Sequence, residues 1–118
     1  MPKALPVLDV TSPICCAPVA AGPMDEDAAL GLALRLKALA DPTRVRIMSM
    51  LMATPETEIC TCDLAVAVGL SEPTTSHHLA QLKKAGLVVG TRRGMNVFYR
   101  ARSEALSALC RVLDPSCC

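Results

Sequence analysis

The chain has 118 residues and a formal net charge of +1, which allows one domain with a modest core, of a size that dimerisation commonly completes. No apolar run is long enough to span a bilayer, and the N-terminus lacks the basic-then-apolar order of a secretory signal, so a soluble cytoplasmic protein is expected. One Phe, one Tyr and no Trp are too few for a base-stacking platform, which disfavours RNA or single strands as partners.

Residues 1–23 carry Pro2, Pro6, Pro13, Pro18 and Pro23 with little helical periodicity, and read as a flexible N-terminal arm bearing Cys15 and Cys16. Residues 24–113 are expected to form the folded domain. Asp25-Glu26-Asp27 places negative charge where a helix begins, and Ala28 to Ala40 is almost wholly helix-forming. Its leucines, Leu30, Leu32, Leu34, Leu36 and Leu39, leave no broad polar face, which calls for cover on two sides and so for a partner subunit. Asp41-Pro42 supplies an N-cap and an N1 proline for a second helix running from Thr43 to about Ala53. After the Thr54-Pro55 break, Cys60-Thr61-Cys62-Asp63-Leu64 leads into a short helix that Gly69 stops.

The stretch from Ser71 to Leu87 carries a start signal, an amphipathic helix and a stop signal. Ser71 is an N-cap, Pro73 suits the first turn, and Gly86 suits a left-handed C′ position. Thr75, His78, Leu79 and Leu82 recur at helical spacing and are expected to pack inward. Thr74, Ser76, His77, Gln81 and Lys84 lie on the other face, where hydroxyls, an imidazole and an amide can bond to base edges and phosphates. Two helices joined by a tight turn make a helix-turn-helix. Beyond it, Leu87-Val88-Val89 and Asn96-Val97-Phe98-Tyr99-Arg100 flank Arg92-Arg93-Gly94 as a two-stranded hairpin with a basic tip, a wing. Ser103 is expected to cap a last helix from Glu104 to about Leu113, with Leu106, Leu109, Cys110 and Leu113 on an apolar stripe. The expected fold is mainly α with a small β-hairpin wing, a winged helix-turn-helix that is homodimeric.

The small net charge conceals an uneven distribution. From Pro73 to Arg102 the charged residues are Lys83, Lys84, Arg92, Arg93, Arg100 and Arg102, with no acid among them. That is a footprint for phosphate. The expected DNA-contacting set is Ser71, Pro73, Thr74, Ser76, His77, Gln81, Lys83, Lys84, Arg92 and Arg93, with a double-stranded operator as partner.

Seven cysteines in a chain without an export signal point to metal or metalloid binding in preference to a disulfide scaffold. They stand as Cys15-Cys16, Cys60-x-Cys62, Cys110 and Cys117-Cys118. None is Cys-x-x-Cys, so neither a thioredoxin-type pair nor a zinc ribbon is supported. Cys60 and Cys62 are expected in extended chain just before the helix, where side chains two apart point the same way. Cys110 reads as a small hydrophobe on its helix stripe. The tail, residues 114–118, offers Cys117 and Cys118 as a possible second metal site. His77 and His78, adjacent on a helix, do not face each other and make no zinc pair.

With these residues in view, the chain resembles the ArsR/SmtB family of metal- and metalloid-sensing winged-helix repressors. The resemblance rests on Leu36 to Ile47, on Cys60 to Leu64, on Ser71 to Leu79 and on the Gly94 to Tyr99 wing, and it covers roughly residues 25–113. It implies a homodimer that blocks its promoter when effector-free and leaves it when the effector binds, on an operator that is an imperfect inverted repeat. A common arsenite pattern in the family has a third cysteine three residues after the second; here that position is Ala65. Another arsenic-responsive pattern uses adjacent cysteines in an N-terminal arm, and Cys15-Cys16 followed by Gly22-Pro23 is similar to it.

As(III) takes three thiolates, and Cd(II) and Pb(II) prefer sulfur-rich sites of three or four ligands. Both exceed what two cysteines supply, so the expected site is Cys15, Cys16, Cys60 and Cys62, with the arm donated by the same or, by preference, the other subunit. As(III) is the favoured effector, with Sb(III), Cd(II) and Pb(II) as alternatives. Binding at the lead-in to the helix before the turn is expected to re-angle the recognition helices and release DNA. A thiol enzyme is the less favoured reading, because Glu58 and Asp63 beside the cysteines disfavour thiolate. Metal storage accounts for the cysteines but not for the basic wing.

Overall fold

Asp25 starts the first helix. The computed structural model of the chain describes residues 22–113, and in α1 (Glu26–Leu39) the Asp25 carboxylate accepts from the Ala28 backbone N–H at 2.7 Å. The leucine-rich surface divides unexpectedly. Gly31, Arg35 and Ala38 are buried, whereas Leu30, Leu34 and Leu36 are exposed. Positions four and three apart make one stripe, and at Gly31 the space a β-carbon would fill is taken by the Arg35 guanidinium, 3.3 Å away. Arg35 folds back along the helix and donates to the Gly31 carbonyl at 2.9 Å.

Asp41 caps α2 (Pro42–Ala53) by accepting from Arg44 N–H at 3.1 Å, with Pro42 in the first turn as expected. Ile47, Met48 and Leu51 form its buried face. A two-residue strand, β1 (Ile59–Cys60), then runs into α3 (Thr61–Val68), followed by α4 (Glu72–Lys84). The stops fall where the sequence places them. Gly69 and Gly86 have φ of 72° and 75°, a region that costs glycine little and a β-carbon much. Gly86 and Leu87 donate back to Lys83 and Leu82, closing α4.

The hairpin is β2 (Val88–Arg93) and β3 (Asn96–Ala101), and β1 adds to it antiparallel, giving the order β1-β3-β2. The wing sheet therefore has three strands, where two were expected. The last helix, α5 (Ser103–Leu113), buries Ala108, Leu109 and Val112. Two expectations about it are corrected. Ser103 is the first helical residue and its hydroxyl approaches the Met52 sulfur at 3.9 Å, so it is not a cap. Cys110 is exposed, because the packed stripe runs through Ala108 and Val112, one step around the helix. The Glu104 carboxyl is held below its ordinary range by a backbone N–H at the helix start and then by Arg102.

Ile47, Leu51, Leu64, Leu79, Leu82 and Leu87 fill a core shared by α2, α3, α4 and the sheet. Among the described residues, no helix is long and apolar enough to cross a membrane. Tyr99 seals one edge of the core, and burial pushes its phenol pKa up. Its ring lies over Gly90, the residue opposite it on β2, where an added β-carbon would stand 2.8 Å from Cε1. Tyr99 is held by the core and cannot give way cheaply. Gly90→Ala is therefore expected to lower stability by about 1–3 kcal/mol, read as a lower urea midpoint; an unchanged midpoint would mean that the ring moves freely.

Candidate nucleic-acid interface and thiol site

One face of α4 is fixed by the core and the other is open. Thr75, Leu79 and Leu82 are buried, and the Thr75 hydroxyl donates to the Ser71 carbonyl at 2.9 Å. Thr74, Ser76, His77, Lys83 and Lys84 are exposed, as is Pro73 in the first turn, while Gln81 is half-buried. Ser71 spends its hydroxyl on the helix start: it accepts from Thr74 N–H at 3.3 Å and donates to the Thr74 hydroxyl at 2.9 Å. Its role here is to set the helix, and Thr74 shares in that cap.

His78 is half-buried, as expected, but it is more than packing. Its Nδ1 accepts from Arg44 Nε at 3.1 Å, and Asp41 Oδ2 stands 3.9 Å away. Arg44 thus ties the recognition helix to the start of α2. Arg46 donates to the Ala67 carbonyl near the end of α3 at 3.1 Å. Sequence reasoning missed both arginines as organisers of the helix-turn-helix. Their only signal was the Asp41-Pro42-Thr43-Arg44 string, which places Arg44 on the first turn of α2.

On the wing, Arg92 is exposed. Arg93 is engaged within the protein: it donates to Glu58 Oε1 at 3.1 Å and its guanidinium carbon lies 5.4 Å from the Phe98 ring centroid. Lys83, Lys84 and Arg92, all exposed, leave the α4 end and the wing positively charged, while the charge of Arg93 is offset by Glu58.

Cys60 closes β1 and caps α3, its sulfur accepting from Asp63 N–H at 3.2 Å. Cys62 is not in extended chain, as expected, but is the second residue of α3. The backbone turns from extended to helical between the two. That turn brings the sulfurs together, and they are joined as a disulfide. Among the described residues, Cys60, Cys62 and Asp63 are the cluster whose ligand atoms all lie within 4.8 Å of one another. Once reduced, this segment offers two thiolates and a carboxylate, a soft donor pair that suits As(III), Cd(II) or Pb(II) and falls one thiolate short of an As(III) site. Cys15, Cys16, Cys117 and Cys118 lie outside the described residues.

Two helices around a left-handed glycine turn, one face of the second open and cationic, and a basic hairpin behind it define a winged helix-turn-helix of the nucleic-acid-binding class. Residues 41–89 match the family described as "Bacterial regulatory protein, arsR family", and the chain belongs to that family. The Arsenic resistance transcriptional regulator ArsR1 of Pseudomonas putida is 48% identical over 68 residues, covering 58% of this chain and 52% of that protein. The Cadmium resistance transcriptional regulatory protein CadC of Listeria innocua is 43% identical over 63 residues, covering 53% and 51%. The chain thus spans about half the length of these curated relatives. A solution structure of a homodimeric winged helix-turn-helix DNA-binding domain from Mycobacterium bovis, described as a possible ArsR-family transcriptional regulator, superposes with a TM-score of 0.61. It has 32% sequence identity and covers 75% of this chain and 82% of that one. Family and relatives are transcriptional regulators, not enzymes.

Proposed function

We propose that the protein is a homodimeric transcriptional repressor that binds an inverted-repeat operator when effector-free and is released when As(III), or Sb(III), is captured by cysteine thiolates. The observation that carries this reading is the position of Cys60 and Cys62. They form the N-terminal turn of α3, the helix joined through Gly69 to α4, so a ligand that draws the sulfurs together acts on the support of the recognition helix. The arsenic-resistance relative supports the choice of effector, and Cys15 and Cys16 are the proposed source of the missing thiolate. The exposed Leu30, Leu34 and Leu36 of α1 and Leu113 of α5 are apolar surface that a second copy would cover.

A second reading, a Cd(II)/Pb(II) sensor using all four cysteines, draws on Ala65 at the third thiol position, on Asp63 beside the sulfurs, and on the cadmium-resistance relative. Fluorescence anisotropy separates the two. The reduced protein is bound to an operator duplex selected from a random pool and titrated in parallel with arsenite, antimonite, Cd(II), Pb(II) and Zn(II). Release at the lowest concentration by arsenite is the expected result, with affinity falling steeply as salt rises. Release first by Cd(II) or Pb(II) would favour the second reading, and binding to no duplex would overturn both.

A further inference from the structure

The thiol segment is an edge strand of the wing itself. Cys60 lies opposite Phe98 on β3, and Phe98 lies opposite Thr91 on β2. Directly opposed residues share a face, and side chains alternate along each strand. Cys60, Phe98 and Thr91 therefore form one cross-strand row, and Glu58 and Arg93, each two residues from it, fall on the same face. There Arg93 meets Glu58 at 3.1 Å and covers the Phe98 ring. Thr61, next to Cys60, donates to the Val97 carbonyl at 3.4 Å and ties the start of α3 to the same strand. The Glu58 side chain is 22% exposed, and its second oxygen, Oε2, is buried without a hydrogen-bond partner. Arg93 is 59% exposed, within reach of solvent and of an incoming phosphate.

We propose that Glu58 is a positioning residue, a latch that holds Arg93 off the DNA when Cys60 and Cys62 are drawn together, so that wing and recognition helix disengage in one event. The proposal rests on Cys60 and Cys62 being the effector site. One residue separates Glu58 from Cys60, and Phe98 is paired with Cys60, so a shift of the Cys60 backbone carries both contacts of Arg93 with it. In the described conformation the sulfurs are joined and the latch is closed. The pair is open to solvent on the arginine side and half-buried on the Glu58 side, so a DNA phosphate can compete for the guanidinium, which binds phosphate well, without entering the Glu58 pocket. Small changes at β1 can therefore decide which anion Arg93 takes.

Glu58→Gln keeps the side-chain shape and removes the charge; Glu56→Gln removes the same charge from an exposed neighbouring position. Both variants and the wild type, reduced, are titrated with sodium arsenite in the presence of the selected operator duplex. Bound arsenic is followed by thiolate-to-arsenic absorbance, and DNA affinity is measured across a salt series. For the wild type, arsenite should weaken DNA binding and flatten the salt dependence by about one phosphate contact per subunit. Glu58→Gln should bind arsenite with unchanged stoichiometry and unfold at the wild-type midpoint. It should retain the steep salt dependence and lose about 3-fold of the release per subunit, about 10-fold per dimer. Glu56→Gln should follow the wild type. Full release and a flattened slope in Glu58→Gln would overturn the latch alone, as would an equal effect of Glu56→Gln. Failure of arsenite to release the wild type would overturn the effector reading and the latch together.

Discussion

Replacing Cys60 and Cys62 together by serine is expected to abolish arsenite-driven release from operator DNA while leaving effector-free affinity within about two-fold. Serine hydroxyls do not ionise near neutral pH and are hard donors, so the segment loses its affinity for a soft metalloid. The fold should survive. Cys60 acts as an N-cap through its sulfur, and serine is a better capping residue than cysteine; Cys62 lies half-buried on the first turn of α3. The change then isolates ligation from structure. Allosteric couplings typically span about 5–150-fold in affinity, and that whole factor should disappear in the double variant. Cys60→Ser alone leaves Cys62 with Cys15 and Cys16 as three thiolates, so arsenite should still bind, but most of the release should be lost because the β1 and α3 ends of the junction are no longer drawn together. Since thiols ligate as thiolates, the wild-type response should also weaken as pH falls. The disulfide between the two cysteines makes a reductant essential to the measurement. Release that persists in reduced Cys60→Ser/Cys62→Ser would remove the site from this segment.

Local chemistry was legible in the sequence and tertiary choice was not. Asp41, Ser71, Gly69 and Gly86 mark helix ends through bonds made within a few residues, so their positions along the chain suffice to place α2, α3 and α4. The inward face of α4 followed from spacing alone. Strand β1 was missed because two residues carry no period, and its existence depends on Phe98 and Tyr99, far along the chain. The Arg44–His78 bond spans 34 positions and was equally out of reach. On α1, hydrophobicity pointed to the leucines as the packed face, but the buried stripe is Gly31, Arg35 and Ala38, with the Arg35 side chain folded back over Gly31. The cysteine pair lay between these cases: the spacing put the sulfurs on one side only if both residues were extended, whereas Cys62 is helical and the sulfurs meet through the strand-to-helix junction at Cys60.

Leu79→Ala is expected to cost about 3–5 kcal/mol of folding stability, a loss that approaches the lower end of the margin of about 5–15 kcal/mol that holds a domain of this kind. Leu79 is 0% exposed, on the face of α4 that joins Ile47, Leu51, Leu64 and Leu82 in the core. Truncating it removes apolar area and leaves a cavity that this junction of helices and sheet cannot readily close. His77, two residues earlier and exposed, makes the contrast. His77→Ala should leave the urea midpoint in place and weaken specific DNA binding, as the loss of a base or phosphate contact does. Measured at one fixed protein concentration, because a dimer's apparent stability depends on it, Leu79→Ala should shift the midpoint strongly. At low denaturant and low temperature, the molecules that remain folded should bind DNA more weakly as well, since α4 has lost its seat. A loss below about 1 kcal/mol would mean that α4 is not anchored by this face. The clamp of Arg44 on His78 would then be left as the feature that orients the reading surface.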